Sequence, residues 1–251
     1  MPAKLLVIQH IACEPPGAYE DELRARGGTL HRVEIDRGEP VPDWRGFDGM
    51  IVMGGPMGAY EEAGFPWLAA EKAAIAEAVR ADLPVWGVCL GAQLLAASLG
   101  AEVGPGPEPE VGVLPVRCTS AAASDPVFAH APPEFRALQW HQDTFALPAG
   151  AALLASSPAY DQQAFRVQRA YGLQFHIEIG TDLATAWAEV PAYAASLESI
   201  MGPGALPVLL AEIAAHEIEM TRLARRLFAA WVDEVVAAPA ARTVHEAAPA
   251  V

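Results

Sequence analysis

The chain has 251 residues, 53% of them hydrophobic and 19% charged, enough for one substantial core, and a single domain is the expectation. Its 31 acidic and 16 basic side chains give a formal net charge of −15. That balance lacks the basic patch a nucleic-acid surface needs and leaves small or basic partners.

The opening residues carry one lysine and a short apolar run, Leu5 to Ile8. It is too brief for a signal peptide or a membrane span, so no membrane association is expected. The cysteines are Cys13, Cys89 and Cys118, an odd count without paired spacing. No disulfide framework is expected, and a reducing cytoplasm fits. Taken in order, Leu5 to Gln9 reads as a central strand, Tyr19 to Arg26 as a helix ended by Gly27 and Gly28, and Thr29 to Ile35 as a second strand. Met50 to Met53 is a third, buried strand feeding the glycine-rich loop Gly54 to Gly58. Trp67 to Ala81 has apolar positions spaced for an amphipathic helix. Strand and helix thus alternate, as in a parallel sheet covered on both faces, where ligands sit outside the carboxyl ends of the strands.

Val85 to Val88 then forms a short apolar strand, Gly87, Cys89 and Gly91 crowd into a turn, and Leu90 to Leu99 reads as a small apolar helix closed by Gly100. Such a strand–turn–helix elbow pushes one side chain out at its apex. The helix start aims its free N–H groups and positive dipole end at the Cys89 sulfur, favouring thiolate, and the Leu90 N–H can face an oxyanion. Alone, the pattern fits a buried structural cysteine as well as a nucleophile.

After Gly100 the character changes. Gly104 to Glu110 is rich in proline and glycine and reads as loop. Val111 to Val116, Phe135 to Leu138, Ala152 to Ala155, Ala164 to Gln168 and Ala170 to Phe175 read as shorter strands, an antiparallel extension of the same sheet. Two helical stretches follow, about 181–200 and 206–235, and residues 237–251 read as an Ala/Pro-rich, disordered tail.

A thiolate nucleophile needs a base, and the base an orienting group. Of seven histidines, His176 stands at a strand end with Glu178 two residues on, on the same side of an extended chain. Glu178 can therefore address one imidazole nitrogen while the other addresses a partner. A pair on a solvated strand edge has the same spacing. No further ligands cluster at metal spacing, so no metal is expected, and no cofactor.

Three segments together resemble class I glutamine amidotransferases. Gly87-Val-Cys-Leu-Gly-Ala-Gln93 is similar to the family's Gly-x-Cys-x-Gly-x-Gln elbow, Gln174-Phe-His-Ile-Glu178 to its Gln-Phe-His-Pro-Glu segment, and Gly54-Gly-Pro56 to the loop supplying a second oxyanion-hole amide. The resemblance spans about residues 4–180, with Ile177 where many members have proline. Trp140-His-Gln-Asp-Thr-Phe145 further resembles the branch related to the glutaminase part of GMP synthase, and the overall look is of its stand-alone members.

The resemblance implies a three-layer αβα sandwich, flavodoxin-like, with the site at the strand carboxyl ends. It implies Cys89 as nucleophile, His176 as general base then acid, Glu178 as its orienting group, and the Gly55 and Leu90 N–H groups as oxyanion hole. It assigns Gln93 to substrate glutamine, and His141 and Asp143 to the pocket wall, although a loop position alone would also account for the last two. The implied reaction hydrolyses the side-chain amide of glutamine through a cysteine γ-glutamyl thioester. Neither a Gly-x-x-x-x-Gly-Lys-Ser/Thr loop nor a Ser-Gly-Gly-x-Asp-Ser segment is found, so the ammonia acceptor is either a separate protein or absent, and a separate synthase is the first expectation. Two alternatives stand beside this: a hydrolase of other γ-glutamyl amides or peptides, and a non-catalytic regulatory module. Cys13 and Cys118 read as structural, Glu61 and Glu62 as a solvated loop edge, and Trp67, Trp86 and Trp187 as core.

Overall fold

The structure, a computed structural model, describes residues 2–238. From residue 239 on, the tail expected at 237–251 lies outside the described residues. Strand β1 (Lys4–Gln9) is followed by helix α1 (Ala18–Ala25), β2 (Thr29–Glu34), β3 (Gly49–Val52), α2 (Trp67–Arg80), β4 (Val85–Val88) and α3 (Leu90–Ser98). Then come β5 (Val103–Cys118), β6 (Glu134–Phe145), β7 (Ala152–Ser156), β8 (Ala164–Val167) and β9 (Ala170–Leu173), and after them α4 (Thr181–Ala188), α5 (Pro191–Met201) and α6 (Ala205–Ala230). A π-helical stretch over Trp231–Val236 continues α6.

All nine strands share one sheet in the order β2-β1-β3-β4-β9-β8-β7-β5-β6. The first five are mutually parallel, in the flavodoxin-like order expected of a doubly wound sheet. The other pairings are antiparallel. Strand β9 is therefore a parallel strand seated against β4, not part of the antiparallel extension the sequence suggested. Its neighbour β8 is where the direction reverses.

Leu5 and Val7 of β1 pack towards α1 and α6, while Leu6 and Ile8 pack towards α2 and α3. Successive side chains of a strand point to opposite faces, so a strand covered by helices on both sides reads as a continuous apolar run. The result is the expected three-layer αβα sandwich. No single helix among the described residues is long and apolar enough to cross a membrane.

Three local expectations change. Residues Gly104 to Glu110 lie within β5, with a shift of register between Pro105 and Glu110. Prolines survive there because β7 pairs only with Arg117 and Cys118, leaving the other edge of that stretch without a strand that needs its N–H groups. Strand β6 runs through to Phe145, so His141 and Asp143 sit on a strand and not in a loop. The helix expected over 181–200 breaks into two at Pro191, which lacks the N–H a continuing helix would use but suits a first helical turn.

Candidate active site

Because β1, β3, β4 and β9 run parallel, the residues that follow each of them gather at one end of the sheet. His10 follows β1, Gly54 and Gly55 follow β3, Cys89 follows β4, and Gln174 to Glu178 follow β9.

Cys89 takes φ 52° and ψ −110°, a region a non-glycine residue rarely occupies, and strain of this kind gathers at functional turns. Its N–H donates to the Leu173 carbonyl at 2.7 Å, which ties the apex to β9. Two glycines make the turn possible by close approach. A Cβ on Gly87 would lie 2.6 Å from the Gly91 oxygen, and one on Gly91 would strike the Val52 carbonyl of β3.

Strand β9 stops at Leu173, two residues earlier than the periodicity suggests. The chain then crosses to β6, where His176 and Leu138 exchange two backbone hydrogen bonds of 2.9 Å each. This fixes the His176 backbone between two strands. Its Nδ1 donates to Glu178 Oε1 at 2.6 Å, and Glu178 Oε2 accepts the Ile177 N–H at 3.0 Å. Cys89 lies against the imidazole and also favours its charged form. His176 and Glu178 are 1% and 2% exposed, which makes them a buried pair and removes the solvated-edge alternative. Burial alone would discharge His176, but the Glu178 carboxylate and its hydrogen bond, together with Cys89, hold its pKa well above the ordinary histidine value. The Trp187 ring stands edge-on to the imidazole, centroids 4.7 Å apart, and donates its indole N–H to the Cys13 carbonyl.

A cavity of about 280 Å³ opens over Cys89. Gly55 to Glu61 form one wall, Trp140 to Asp143 of β6 the second, and Ala192, Tyr193 and Ser196 of α5 the third, with Leu90 and Gln93 beside the sulfur. Gln93 Nε2 donates to Gln174 Oε1 at 3.1 Å, and Gln174 Nε2 lies 3.7 Å from Cys89 Sγ. His141 Nδ1 donates to the Asp143 carbonyl at 3.0 Å, and its Nε2 is 3.3 Å from Glu110. Burial raises the pKa of Asp143 while the neighbouring Tyr60 hydroxyl opposes the rise. Glu61 is not merely a loop edge: it lines this cavity and caps the Gly58 N–H at 2.7 Å. Burial pushes the Cys13 and Cys118 thiols up to about 11, which suits packing and not nucleophilic roles.

Sequence reading missed several buried groups around this end. Glu14 is 2% exposed, accepts a hydrogen bond from the Tyr193 hydroxyl and has its pKa raised by burial. His10 and Glu71 form a pair on the far side of Gly54. None stands in a periodic pattern or a spaced motif, so only their spatial convergence reveals them.

The family model described as glutamine amidotransferase class-I matches residues 18–185. The chain belongs to that family. Among curated amidotransferase relatives, it is 34% identical over 176 residues to the glutamine amidotransferase-like protein YfeJ of Salmonella typhimurium, covering 68% of this chain and 74% of that protein. It is 32% identical to a glutamine-hydrolyzing GMP synthase subunit of Ignicoccus hospitalis, over 56% of this chain and 71% of that relative. The match to the GMP synthase of Thermomicrobium roseum spans only 23% of that protein's length, at 36% identity over 52% of this chain. Among solved structures, a Thermotoga maritima glutamine amidotransferase superposes with a TM-score of 0.84 at 32% identity, covering 95% of this chain and 100% of that one. A glutamine amido transferase from Methylobacillus flagellatus gives 0.82 at 28% identity, covering 94% and 96%.

Proposed function

We propose that this amidotransferase-family chain hydrolyses the side-chain amide of glutamine and passes the ammonia to a separate synthase. The observation that carries the reading is the convergence of Cys89, His176 and Glu178 at the strand ends, with the cysteine at a strained apex and the histidine hydrogen-bonded to a buried carboxylate.

In the proposed reaction the Cys89 sulfur attacks the amide carbon and forms a C–S bond. The oxygen takes up the displaced electron pair and accepts hydrogen bonds from the Gly55 and Leu90 N–H groups. Each such donor is worth about 3 kcal/mol to the transition state. His176 gives its proton to the amide nitrogen, the C–N bond breaks and ammonia leaves. Water then attacks the γ-glutamyl thioester, His176 takes its proton, and glutamate departs as the C–S bond breaks. The thiolate–imidazolium pair is restored. Glu178 holds the imidazole with Nδ1–H towards itself and the other nitrogen towards the sulfur. Gln93, His141 and Asp143 line the cavity and are assigned to substrate contacts. The Ignicoccus hospitalis relative, itself one part of a GMP synthase, supports a partner in trans. Three free cysteines fit a reducing cytoplasm.

The test is ammonia release by the purified chain, with glutamine and a γ-glutamyl dipeptide side by side. Glutamine turnover that vanishes in Cys89→Ala is expected. Preferential cleavage of the dipeptide would move the assignment to a γ-glutamyl hydrolase. No turnover of either, with a Cys89 that iodoacetamide does not alkylate at neutral pH, would remove the catalytic reading and leave the regulatory one.

A further inference from the structure

His10 and Glu71 are fully buried and lie outside the proposed triad. His10 Nδ1 is 3.1 Å from the Gly54 carbonyl oxygen, and its Nε2 is 2.9 and 3.2 Å from the two Glu71 oxygens. A carbonyl oxygen only accepts, so Nδ1 donates to Gly54, and Nε2 shares its hydrogen bond with the Glu71 carboxyl group. Burial alone would discharge His10, but Glu71 and the Gly54 carbonyl outweigh that and raise its pKa. Trp67 stacks on the ring with centroids 5.5 Å apart, so the side chain is fixed from three sides.

The Gly54 oxygen and the Gly55 N–H belong to one peptide group. That peptide is trans, like every described peptide bond, so its C=O and N–H point in opposite directions. A carbonyl held against His10 turns the N–H away from His10. Gly55 lines the cavity with Cys89 and Leu90, and a Cβ placed on it would come within 2.8 Å of the His10 Cβ and 3.1 Å of Leu90. The reverse peptide orientation would aim the Gly54 carbonyl at the cavity and repel an oxyanion. Two glycines in succession offer little conformational resistance to that reversal.

We infer that the His10–Glu71 pair is a clamp that presets the Gly54–Gly55 peptide with its N–H towards the oxyanion position. His10 is thus a positioning residue, and the inference rests on the proposed role of Gly55. An orientation fixed in advance costs no reorganisation when charge develops on the substrate oxygen.

Two double variants test it. In His10→Asn with Glu71→Gln, a side-chain amide stands where Nδ1 was and still reaches the Gly54 carbonyl. In His10→Gln with Glu71→Gln, the amide stands where Nε2 was and leaves that carbonyl free. Both remove the buried ionisable pair and both delete the ring. The Gln/Gln variant is expected to lose about 10²–10³-fold in kcat, the loss of one oxyanion donor, with KM within about threefold. The Asn/Gln variant should keep kcat within about tenfold of the parent, a conservative rescue that loss of packing alone would not give. Alkylation of Cys89 by iodoacetamide generates no oxyanion and should proceed at the parent rate in both. Equal kcat in the two variants, or alkylation that falls together with kcat, would overturn the clamp. The Gly55 amide resonance in 15N-glycine-labelled protein reports the peptide without turnover. It should move in the Gln/Gln variant and stay in the Asn/Gln variant, and identical behaviour in both would also overturn the clamp. Failure of the parent protein to release ammonia is a separate result, bearing on the proposed function while the resonance still reads the peptide.

Discussion

At His176 two strong effects oppose each other. Removal from water penalises the imidazolium, whereas Glu178 at 2.6 Å and Cys89 on the other side stabilise it, and the second effect wins. The folded pKa therefore lies above the unfolded value of about 6.5. A group of this sign contributes stability that is fully present below about pH 6.5 and is lost as pH rises through the folded pKa. Replacing His176 by glutamine removes the titration and leaves His10, whose pKa is also raised, to cancel between the two proteins. The stability gap between parent and His176→Gln in urea unfolding should accordingly narrow as pH rises above about 6.5. A gap that widens over that range would contradict the charged pair. The i, i+2 spacing made the contact between His176 and Glu178 legible in the sequence. The Leu138 bridge that fixes the His176 backbone was not, because its partner is a strand 38 positions away in the chain.

The elbow is the element on which the site depends, and its requirements are steric. Helix α3 approaches β3 and β4 so closely that Gly91 faces the Val52 carbonyl of β3 and Gly87 of β4 faces the Gly91 carbonyl. Backbone cannot yield as a flexible side chain would, so Gly91→Ala should sit at the upper end of overpacking costs, about 3 kcal/mol. For a chain of this size that corresponds to about 6–12 °C in Tm. Thermal melting checks it, and an unchanged Tm would show that the turn has more room than these contacts imply. The alternation of glycines around a cysteine carried this element in the sequence alone. The reach of β6 did not come through: Trp140 to Asp143 are strand residues because β5 pairs with them across a register shift, and pairing of that kind has no local signature.

Over the whole molecule, the C-terminal helix belongs to the core. Tyr19 of α1, Trp86 of β4, Phe228 of α6 and Trp231 of the π-helical stretch that continues it meet in one cluster, with Trp86 and Trp231 centroids 5.6 Å apart and Tyr19 and Phe228 5.2 Å apart. Arg26–Asp233 and Arg225–Asp21 ion pairs join the same elements at the surface, where such pairs contribute little. The aromatic packing decides. Trp231→Ala should cost about 3–5 kcal/mol, read as a fall of about 6–20 °C in Tm. A loss below about 1 kcal/mol would show that this cluster does not anchor α6 to the sheet.

The sequence by itself determined the alternation of strands and helices, the parallel sheet, the elbow with Cys89 at its apex and the His176–Glu178 pair. Each is written in short-range spacing: apolar runs for strands buried on both faces, glycines where backbones touch, and a two-residue interval along an extended chain. Only the tertiary structure decided that β9 is parallel to β4, that α5 walls the cavity, and that His10 and Glu71 meet behind Gly54. Those facts depend on which distant segments are brought together, and His10 and Glu71 acquire a common purpose only when the folded sheet excludes water from both and leaves each as the other's partner.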